Sequence, residues 1–345
     1  MTEILFKKGS FVILEDDVSK LTPEQMNWLI KRCGTISHQS WETSRKTPEE
    51  FIKMLYEIKH FSVIEHSWFT FKIDAGHNPN YKKGIKLALL EGNHLFCLTE
   101  RPREIIVSGN ARMFIEAYLR NPNTITANLL NFLHEENPIL FLLKPSEQYT
   151  KTINFSNKPT LETKEEILTH RAMTVLFNNC SRGFTHENVR SRNGHNKIVA
   201  YTQESTRYVN PSQKGGFKFI LPYRCLNLNQ KLHLKNQEIS IEEYIAIMER
   251  IYSELIQLGL QPQEARQWLP IGIKSQIVQT FNLAEWRHWF LIRTQPAAHP
   301  EIRYVACNLL HEFQKRIPGI FDFEFKEEHG SEFTIFTNEE LKELV

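Results

Sequence analysis

The chain has 345 residues, of which 41% are hydrophobic and 24% are charged, and its formal net charge is +2. That length and hydrophobic fraction can bury one large core or two modest ones, as expected for a globular protein. The near-neutral charge gives no reason to expect nucleic acid or a membrane surface as the main partner. Any anion-binding site must therefore be local.

The five cysteines are scattered, and they form neither a C-x-x-C pair nor a zinc-ligand pattern with histidine. We therefore expect no metal site, and reduced thiols fit a cytoplasmic location. The amino terminus shows no signal-peptide pattern, and no stretch is long and apolar enough to cross a bilayer. No membrane partner is expected.

The amino-terminal part of the chain predicts a short strand, two helices and a second strand. Residues 11–14 form the first apolar run. Thr22 and Thr47 each precede a proline, with Gln or Glu at the third helical position, which is the capping-box pattern of a helix start. The aromatic and β-branched run at 68–73 predicts the next strand.

Residues 75–165 are interpreted as an insertion because loop-forming residues interrupt their pattern. Two strands, one helix and two loops are predicted there, at 95–98 and 105–107, at 109–119, and at 121–130 and 144–159. The sequence shows no evident internal repeat. The predicted fold is α/β (α+β), with a central sheet flanked by helices, in a single domain over residues 1–345 with an insertion at about 75–165.

The carboxyl-terminal part alternates strand and helix patterns. Strands are predicted at 172–177, 216–221 and 276–280, and helices at 282–293 and 300–316. Ser240 begins a further capping box, and the helix after it has apolar residues at helical spacing over 241–255. That spacing predicts a buried face for this helix.

The segment 181–208 carries more cationic and polar groups than a structural segment needs. These groups are Arg182, His186, Glu187, Arg190, Arg192, His195, Lys197, Gln203, Glu204, Ser205 and Arg207. Guanidinium groups bind phosphate bidentately and keep their charge. The segment therefore predicts a site for an anionic small molecule such as a nucleotide.

Three separated blocks of the chain carry motifs. The first is residues 60–73, HFSVIEHSWFTFKI. The second is 180–210, with S-R-G-x-x-H-E-x-V-R and Q-E-S-T-R-Y, and the third is 264–316, with N-x-x-E-W-R-H-x-F-x-x-R followed by A-H-P-E-I-R. These blocks, which cover somewhat under half of the chain, resemble the flavin-dependent thymidylate synthase family and stand in that family's order.

The resemblance implies methylation of dUMP to dTMP, with methylenetetrahydrofolate as carbon donor, FAD as cofactor and NADPH as reductant. It also implies a homotetramer whose sites lie between subunits. Carbon 5 of the uracil ring must be electron-rich, and a cation near the N3/O4 side favours the ionised ring. Arg293 matches the arginine that the family uses for this. The sequence has no G-x-G-x-x-G fingerprint, so the family fold and not a Rossmann unit would hold the flavin.

The resemblance also assigns two sets of binding residues. Nucleotide binding falls to Glu187, Arg190, Gln203, Glu204, Ser205, Arg207 and Arg266. Cofactor contacts fall to His60, Ser62, Arg190, Arg192, Gln203, Asn282 and His288. A structural role is the alternative for some of these positions. Asn282 and His288 also suit helix caps or surface groups, and His60, like the nearby His66, also suits an ordinary hydrogen-bonded histidine.

The sequence departs from the family in the middle of the polar segment. Ser191 stands where the family has a histidine between two arginines, and residues 193–197 are an insertion from which His195 or Lys197 is an alternative source of the missing cation. Two alternatives therefore stay open. One is a homologue that acts on another pyrimidine nucleotide or one-carbon donor. The other is a non-catalytic protein that binds nucleotide or nucleic acid through the same arginines.

Overall fold

The computed structural model describes residues 3–5, 9–37, 40, 44–90, 96–145, 153–191, 197–205, 216–221, 231–328 and 331–335. The strands are β1 (Glu3–Leu5), β2 (Ser10–Glu15), β3 (Phe69–Asp74), β4 (Cys97–Glu100), β5 (Glu104–Gly109), β6 (Phe155–Asn157), β7 (Ala172–Ser181), β8 (Val199–Gln203), β9 (Lys218–Ile220), β10 (Lys231–Leu234), β11 (Gln237–Ser240), β12 (Lys274–Asn282), β13 (Glu324–Glu328) and β14 (Ser331–Ile335). The helices are α1 (Pro23–Ile36), α2 (Pro48–Glu57), α3 (Pro79–Leu90), α4 (Ala111–Arg120), α5 (Thr124–Glu136), α6 (Lys164–His170), α7 (Arg182–Asn188), α8 (Ile241–Gln257), α9 (Pro262–Ala265), α10 (Leu283–Arg293) and α11 (Pro300–Arg316).

Two four-stranded sheets organise the described residues. The first has the strand order β6-β3-β5-β4, and the second has the order β2-β7-β12-β8. All neighbouring strands in both sheets run antiparallel. This confirms the predicted mixture of helices and sheet, in its α+β form. The extent of the 75–165 insertion stays a prediction.

Aromatic side chains dominate the buried interior beside each sheet. Near the first sheet, the rings of Phe71 and Phe114 lie 5.6 Å apart. Near the second sheet, the rings of Trp286 and Phe313 lie 5.1 Å apart and bring α10 against α11. Each such ring removes a large apolar area from water, which stabilises the fold by about 1.5–3 kcal/mol per side chain.

The predicted capping boxes are confirmed. Thr22, Thr47 and Ser240 each accept a hydrogen bond from the backbone of the third helical residue, whose side chain bonds back to the cap. The helices α1, α2 and α8 therefore begin where the sequence places them. A cap of this kind contributes about 1 kcal/mol.

Three predictions made from local pattern are wrong in whole or in part. Residues 121–130 are not a loop, because the Asn123 side chain accepts hydrogen bonds from the backbone of Ile125 and Thr126 and starts α5. Helix α8 is not buried along its whole apolar face. Of its residues only Ile245 and Tyr252 are buried, because the helix packs on a small apolar group around β9. In the other predicted loop, residues 155–157 form β6, so that part of the prediction is wrong as well. Residues 146–152 lie outside the described residues.

No group of three or more metal-ligating side chains occurs among the described residues. Within the same ranges, no helix combines the length and the apolar character that crossing a bilayer requires.

Two buried histidines join the sheets. His66 precedes β3 of the first sheet, but its ring contacts β12 and β8 of the second. His170 precedes β7 of the second sheet, but its ring contacts β5 and β4 of the first. The ring nitrogens bond Thr280 (2.8 Å) and Thr202 (3.0 Å) in the first case, and Ser108 (2.8 Å) and Thr99 (2.7 Å) in the second. His66 is therefore a hydrogen-bonded core histidine.

These histidines make the fold sensitive to acid. Burial lowers the pKa of both His66 and His170 to about 3, from an ordinary value of 6.5. Between those two values the unfolded chain binds protons that the folded chain does not, so the free energy of unfolding falls as the pH falls through this window. The slope reaches at most about 1.4 kcal/mol per pH unit for each histidine.

Urea denaturation at about pH 7.5 and about pH 5 measures this effect. We expect the His66→Gln variant, which has no titrating ring at this position, to lose less stability between the two pH values than the wild type does. An equal loss in both proteins would show that His66 does not carry the acid sensitivity.

Candidate functional site

Helices α7 and α10 meet because of the antiparallel pairing of β7 with β12. Lys274 at the start of β12 lies opposite Ser181 at the end of β7. Each strand passes directly into a helix, and each helix turns back along the sheet. Ser181 caps α7 by accepting from the backbone of Phe184 at 2.9 Å, and Asn282 caps α10. The carboxyl-terminal end of α10 therefore reaches the end of α7.

An ion pair is formed where the two helices meet. Arg293, which is only 7% exposed, donates from Nη1 to the Glu187 carboxylate at 3.2 Å and from Nη2 to the Glu187 backbone carbonyl. Arg190 approaches the other carboxylate oxygen at 3.3 Å. Burial lowers the pKa of Arg293 and the Glu187 carboxylate opposes the change, so the guanidinium keeps its charge.

A buried amide holds the end of α7 in place. Asn188 donates to Gln279 of β12 at 2.7 Å and accepts from the indole of Trp289 on α10 at 2.7 Å. The hydroxyl of Tyr201 on β8 donates to the Asn188 backbone carbonyl at 3.2 Å. Buried polar groups that are bonded in this way define one arrangement of the elements around them.

Two cations contact Glu204, directly after β8, and a third, Arg266, lies near one of them. Lys274 approaches its carboxylate at 3.4 Å, and Arg182 donates to its backbone carbonyl at 3.2 Å. Burial lowers the pKa of Arg182, and the nearby charge of Arg266 lowers it further. Repulsion between neighbouring cations is relieved by an anion, so this cluster suits a phosphate group.

The remaining nucleotide candidates on β8 are held by neighbouring elements. The Gln203 side chain donates to Thr185 of α7 at 2.5 Å and to Ser275 of β12 at 3.4 Å. The backbone of Ser205 donates to the carbonyl of Ser37, at the end of α1, at 2.9 Å. The structure therefore brings Glu187, Arg190 and Arg293 together, and it places Gln203 at the end of β8 with Glu204 and Ser205 directly after it.

Several buried polar atoms on α10 and near it lack a hydrogen-bond partner. Within the described part of the chain, Glu285 Oε1, His288 Nδ1, Arg293 Nε and Ser191 Oγ are buried without a well-formed hydrogen bond. Burial raises the pKa of Glu285 to about 7, although the Ser191 hydroxyl and Lys197 act against it. Burial also lowers the pKa of His288 to about 4, with further lowering by Lys197 and Arg293.

Those unsatisfied atoms offer hydrogen-bond donors and an acceptor in one neighbourhood. A heterocycle with both carbonyl and N–H groups, such as a pyrimidine or the ring system of a flavin, pairs with such a set. Buried polar groups without partners cost free energy, which a matching ligand offsets. Glu285 and Lys274 were not among the predicted site residues, and Arg182 was predicted only as one of the polar groups of segment 181–208. The glutamate of the N-x-x-E-W-R-H block was the sequence signal for Glu285.

Of the other predicted residues, His60 and Ser62 are not brought to this place by any described contact. His60 is exposed beyond α2 and Ser62 is half-buried. Asn282 is fully buried, and its side chain accepts from the backbone of Glu285 at 3.2 Å, so the structural role as a cap is confirmed. The same side chain also accepts from Ile198 at 3.1 Å and donates to the Thr169 carbonyl at 3.0 Å. Its flavin contact stays a prediction. Arg192, His195 and Arg207 lie outside the described residues.

Comparison with solved structures gives weak overall matches. One is a UMP/dUMP methylase, PolB, from Streptomyces cacaoi bound with 5-Br dUMP, at 20% identity and a TM-score of 0.35, covering 45% of this chain and 70% of that one. Another is thymidylate synthase X from Helicobacter pylori with FAD and dUMP, at 17% identity and a TM-score of 0.32, covering 45% and 73%.

Sequence comparison gives closer relatives. The flavin-dependent thymidylate synthase of Pyrococcus abyssi is 34% identical over 153 residues, which are 44% of this chain and 58% of the relative. The one from Saccharolobus solfataricus is 29% identical over 157 residues, covering 46% and 55%. The chain thus spans somewhat more than half the length of these relatives. A family model described as thymidylate synthase complementing protein matches residues 115–319. Since that match takes in more than half of the chain, the protein belongs to the thymidylate synthase complementing protein family.

Proposed function

We propose that this protein methylates dUMP to dTMP in a flavin-dependent reaction, with methylenetetrahydrofolate as carbon donor and NADPH as reductant. The observation that carries the proposal is the buried ion pair between Arg293 and Glu187, which are 106 positions apart. It joins the residue expected beside the pyrimidine ring to one expected to line the nucleotide. The names of the curated relatives agree with this activity.

Arg293 would act on the pyrimidine ring through its charge. A guanidinium near the N3/O4 side stabilises negative charge on the ring, and that charge makes carbon 5 reactive toward an electrophilic carbon. The low exposure of Arg293 removes competing water, which strengthens the interaction. Glu187 orients the guanidinium, and its second oxygen is occupied by Arg190.

The cationic cluster around Glu204 would hold the nucleotide phosphate. Arg182, Arg266 and Lys274 would supply guanidinium and ammonium donors. Gln203, next to Glu204 at the end of β8, would bind the pyrimidine or the sugar. Arg207 is proposed to complete the group from outside the described residues. Because an arginine binds phosphate with two parallel hydrogen bonds, this cluster also orients the nucleotide.

The residues present fit a flavin, because the unsatisfied atoms of Ser191, Glu285 and His288 would pair with its carbonyl and N–H groups. We propose that His288, Arg190 and Gln203 contact the cofactor, with Arg192, Asn282, His60 and Ser62 as further contacts. When bound, FAD would supply the redox chemistry of the reaction. The side chains of this protein bind, orient and keep water away from the reacting atoms.

The proposal includes assembly as a homotetramer and a cytoplasmic location. Sites formed between subunits would let His60 and Ser62 act on a neighbouring chain.

Release of the carbon 5 hydrogen tests the reaction directly. We expect the purified protein with FAD to release tritium from [5-³H]dUMP when both NADPH and methylenetetrahydrofolate are present, and not when either is omitted. [5-³H]dCMP is the matched control for a different pyrimidine. Tritium release from dCMP but not from dUMP would assign the activity to dCMP. A protein that binds no flavin and releases tritium from neither nucleotide would contradict the proposal.

Substitution of Arg293 tests its charge. We expect Arg293→Ala to lower kcat/KM by at least about 100-fold, as loss of a group that stabilises transition-state charge does. The fold should survive because Glu187 keeps Arg190 as partner. Arg250→Ala, an exposed arginine of α8, is the control and should retain wild-type kinetics. Wild-type kcat/KM in Arg293→Ala would remove this residue from the mechanism.

The pKa of Glu285 gives a pH test of ligand binding. A ring that covers this carboxyl removes water from it and favours the protonated form, so binding takes up a proton and weakens as the pH rises through about 7. We expect the Kd for FAD to rise between about pH 6 and about pH 8, by at most about tenfold. Fluorescence titration should show a flatter profile for Glu285→Gln. The same slope in both proteins would show that Glu285 does not face the ligand.

A further inference from the structure

Two parts of the chain follow the same order of elements. Copy one is defined as residues 10–141 and copy two as residues 155–321. Each begins with a strand and then has a helical segment that ends at a histidine. A strand, a helix, two more strands and two helices follow. In copy one the last six are β3, α3, β4, β5, α4 and α5, and in copy two they are β7, α7, β8, β12, α10 and α11.

The two main sheets correspond strand by strand. The order β6-β3-β5-β4 becomes β2-β7-β12-β8 when each strand is replaced by its counterpart in the other copy. The leading strands are exchanged, since β2 of copy one pairs with β7 of copy two and β6 of copy two pairs with β3 of copy one. Copy two differs by the additional strands and helices between β8 and β12.

The buried polar network also repeats with an exchange. His66 of copy one bonds hydroxyls of β12 and β8, and His170 of copy two bonds hydroxyls of β5 and β4. In each sheet the central hydroxyl continues to the neighbouring strand. Thr280 bonds Thr174 at 2.7 Å, and Ser108 bonds Thr70 at 2.9 Å.

The helices that follow β5 and β12, α4 and α10, also begin in the same way. Asn110 caps α4 and Asn282 caps α10. The first residue of each helix then donates to the residue that follows the buried histidine. Ala111 donates to the Ser67 hydroxyl at 2.9 Å, and Leu283 donates to the Arg171 carbonyl at 2.9 Å.

A trace of sequence similarity follows the same correspondence. Residues 128–141 read NLLNFLHEENPILF, and residues 308–321 read NLLHEFQKRIPGIF. The N-L-L triplet, the proline and the final phenylalanine coincide without a gap. The two terminal rings, Phe141 and Phe321, are both buried, and they lie just beyond α5 and α11.

Reciprocal contacts of this kind have a geometric meaning. In a dimer with a two-fold axis, each contact occurs twice: segment i of the first unit contacts segment j of the second, and segment j of the first unit contacts segment i of the second. Reciprocal contacts therefore indicate such an axis. An insertion into a single domain gives no reason for such reciprocity. Both the leading strands and the histidines show it.

We propose that this chain is a fused dimer of two copies of one fold, in which copy two carries the single ligand site and copy one is its built-in partner subunit. His66 of copy one is the positioning residue, because it bonds Thr202 on β8, directly before Gln203 and Glu204. The single ligand site rests on the proposed function, whereas the copy relation does not. Residues 75–141, predicted from the sequence as part of an insertion, then belong to copy one.

The equivalent positions in copy one are not arranged to bind a ligand. Arg101, which follows β4 as Glu204 follows β8, is held by Glu166 at 2.8 Å and 2.7 Å and by Glu104 at 2.9 Å. Arg120 ends α4 as Arg293 ends α10, but its side chain is 61% exposed and pairs with Glu116 of its own helix. Copy one therefore retains the scaffold without the buried guanidinium.

Hydrogen–deuterium exchange on the full chain tests the copy relation without any ligand. We expect His66→Leu to speed exchange in residues 199–203, which belong to copy two. His170→Leu should speed exchange in residues 97–100, which belong to copy one. If either variant fails to fold, Thr202→Val and Thr99→Val remove one hydroxyl partner each and serve instead. Faster exchange confined to the strands of each histidine's own copy would overturn the proposal.

Calorimetric titration with dUMP tests the single site. We expect one dUMP per chain, with affinity lowered about three- to tenfold by His66→Leu through loss of hydrogen bonds to β8. His66→Gln, which can bond a hydroxyl, should recover most of it. His170→Leu and Arg120→Ala, the matched changes in copy one, should bind dUMP as the wild type does.

Two dUMP per chain, or an equal loss of affinity in the copy-one variants, would overturn the single-site assignment. Absence of dUMP binding together with the crossed exchange pattern would contradict the proposed function and the ligand site, and it would leave the copy relation standing. Binding of dUMP without hydrogen release would contradict only the proposed reaction.

Discussion

The fold depends on keeping two imidazoles neutral and fully hydrogen-bonded between two sheets. A buried polar network is stable only when every member has its partner, and loss of one partner costs about 1–3 kcal/mol. Each imidazole bonds hydroxyls of two adjacent strands, so it fixes their register as well as their distance. His66 in this way sets the position of β8 and β12, the strands that carry or lead into most of the candidate ligand residues.

Helix α10 serves the core and the site at once. Trp286, Trp289 and Phe290 are fully buried on it, whereas Glu285, His288 and Arg293 have polar atoms left without partners. Rigid packing of the aromatic side chains holds the polar ones within a narrow range of positions, as a binding site requires. The burial of large apolar side chains beside them offsets the free energy that these unsatisfied polar atoms cost.

Local chemistry explains what could be predicted from the sequence. The capping boxes at Thr22 and Thr47 depend on residues within one turn, so they could be located without a structure. The Asn123 cap was missed because asparagine next to proline also suits a loop. The exposed part of α8 was missed because periodicity shows that a helix has an apolar face but not how much of that face is covered.

Contacts between distant segments account for the rest. The pairing of Arg293 with Glu187 follows from the antiparallel register of β7 and β12, which no local pattern contains. Repetition was also hidden, since residues 128–141 and 308–321 keep only scattered identities. The structural match rests on hydroxyls and caps that several residue types can provide, such as Ser108 in one copy and Thr280 in the other. Similarity of this kind survives in geometry after it has faded from sequence.

The departure at Ser191 has a physical counterpart on α10. The Ser191 hydroxyl lies near enough to Glu285 to act on its pKa, which burial raises to about 7. A carboxyl that is partly protonated at neutral pH both donates and accepts hydrogen bonds, as a histidine ring does. A serine that leaves room beside such a carboxyl can therefore keep donor and acceptor capacity where the family has an imidazole. The charge that an imidazolium would add is supplied nearby by Arg293 and Lys197, whose effects reach the neighbouring His288.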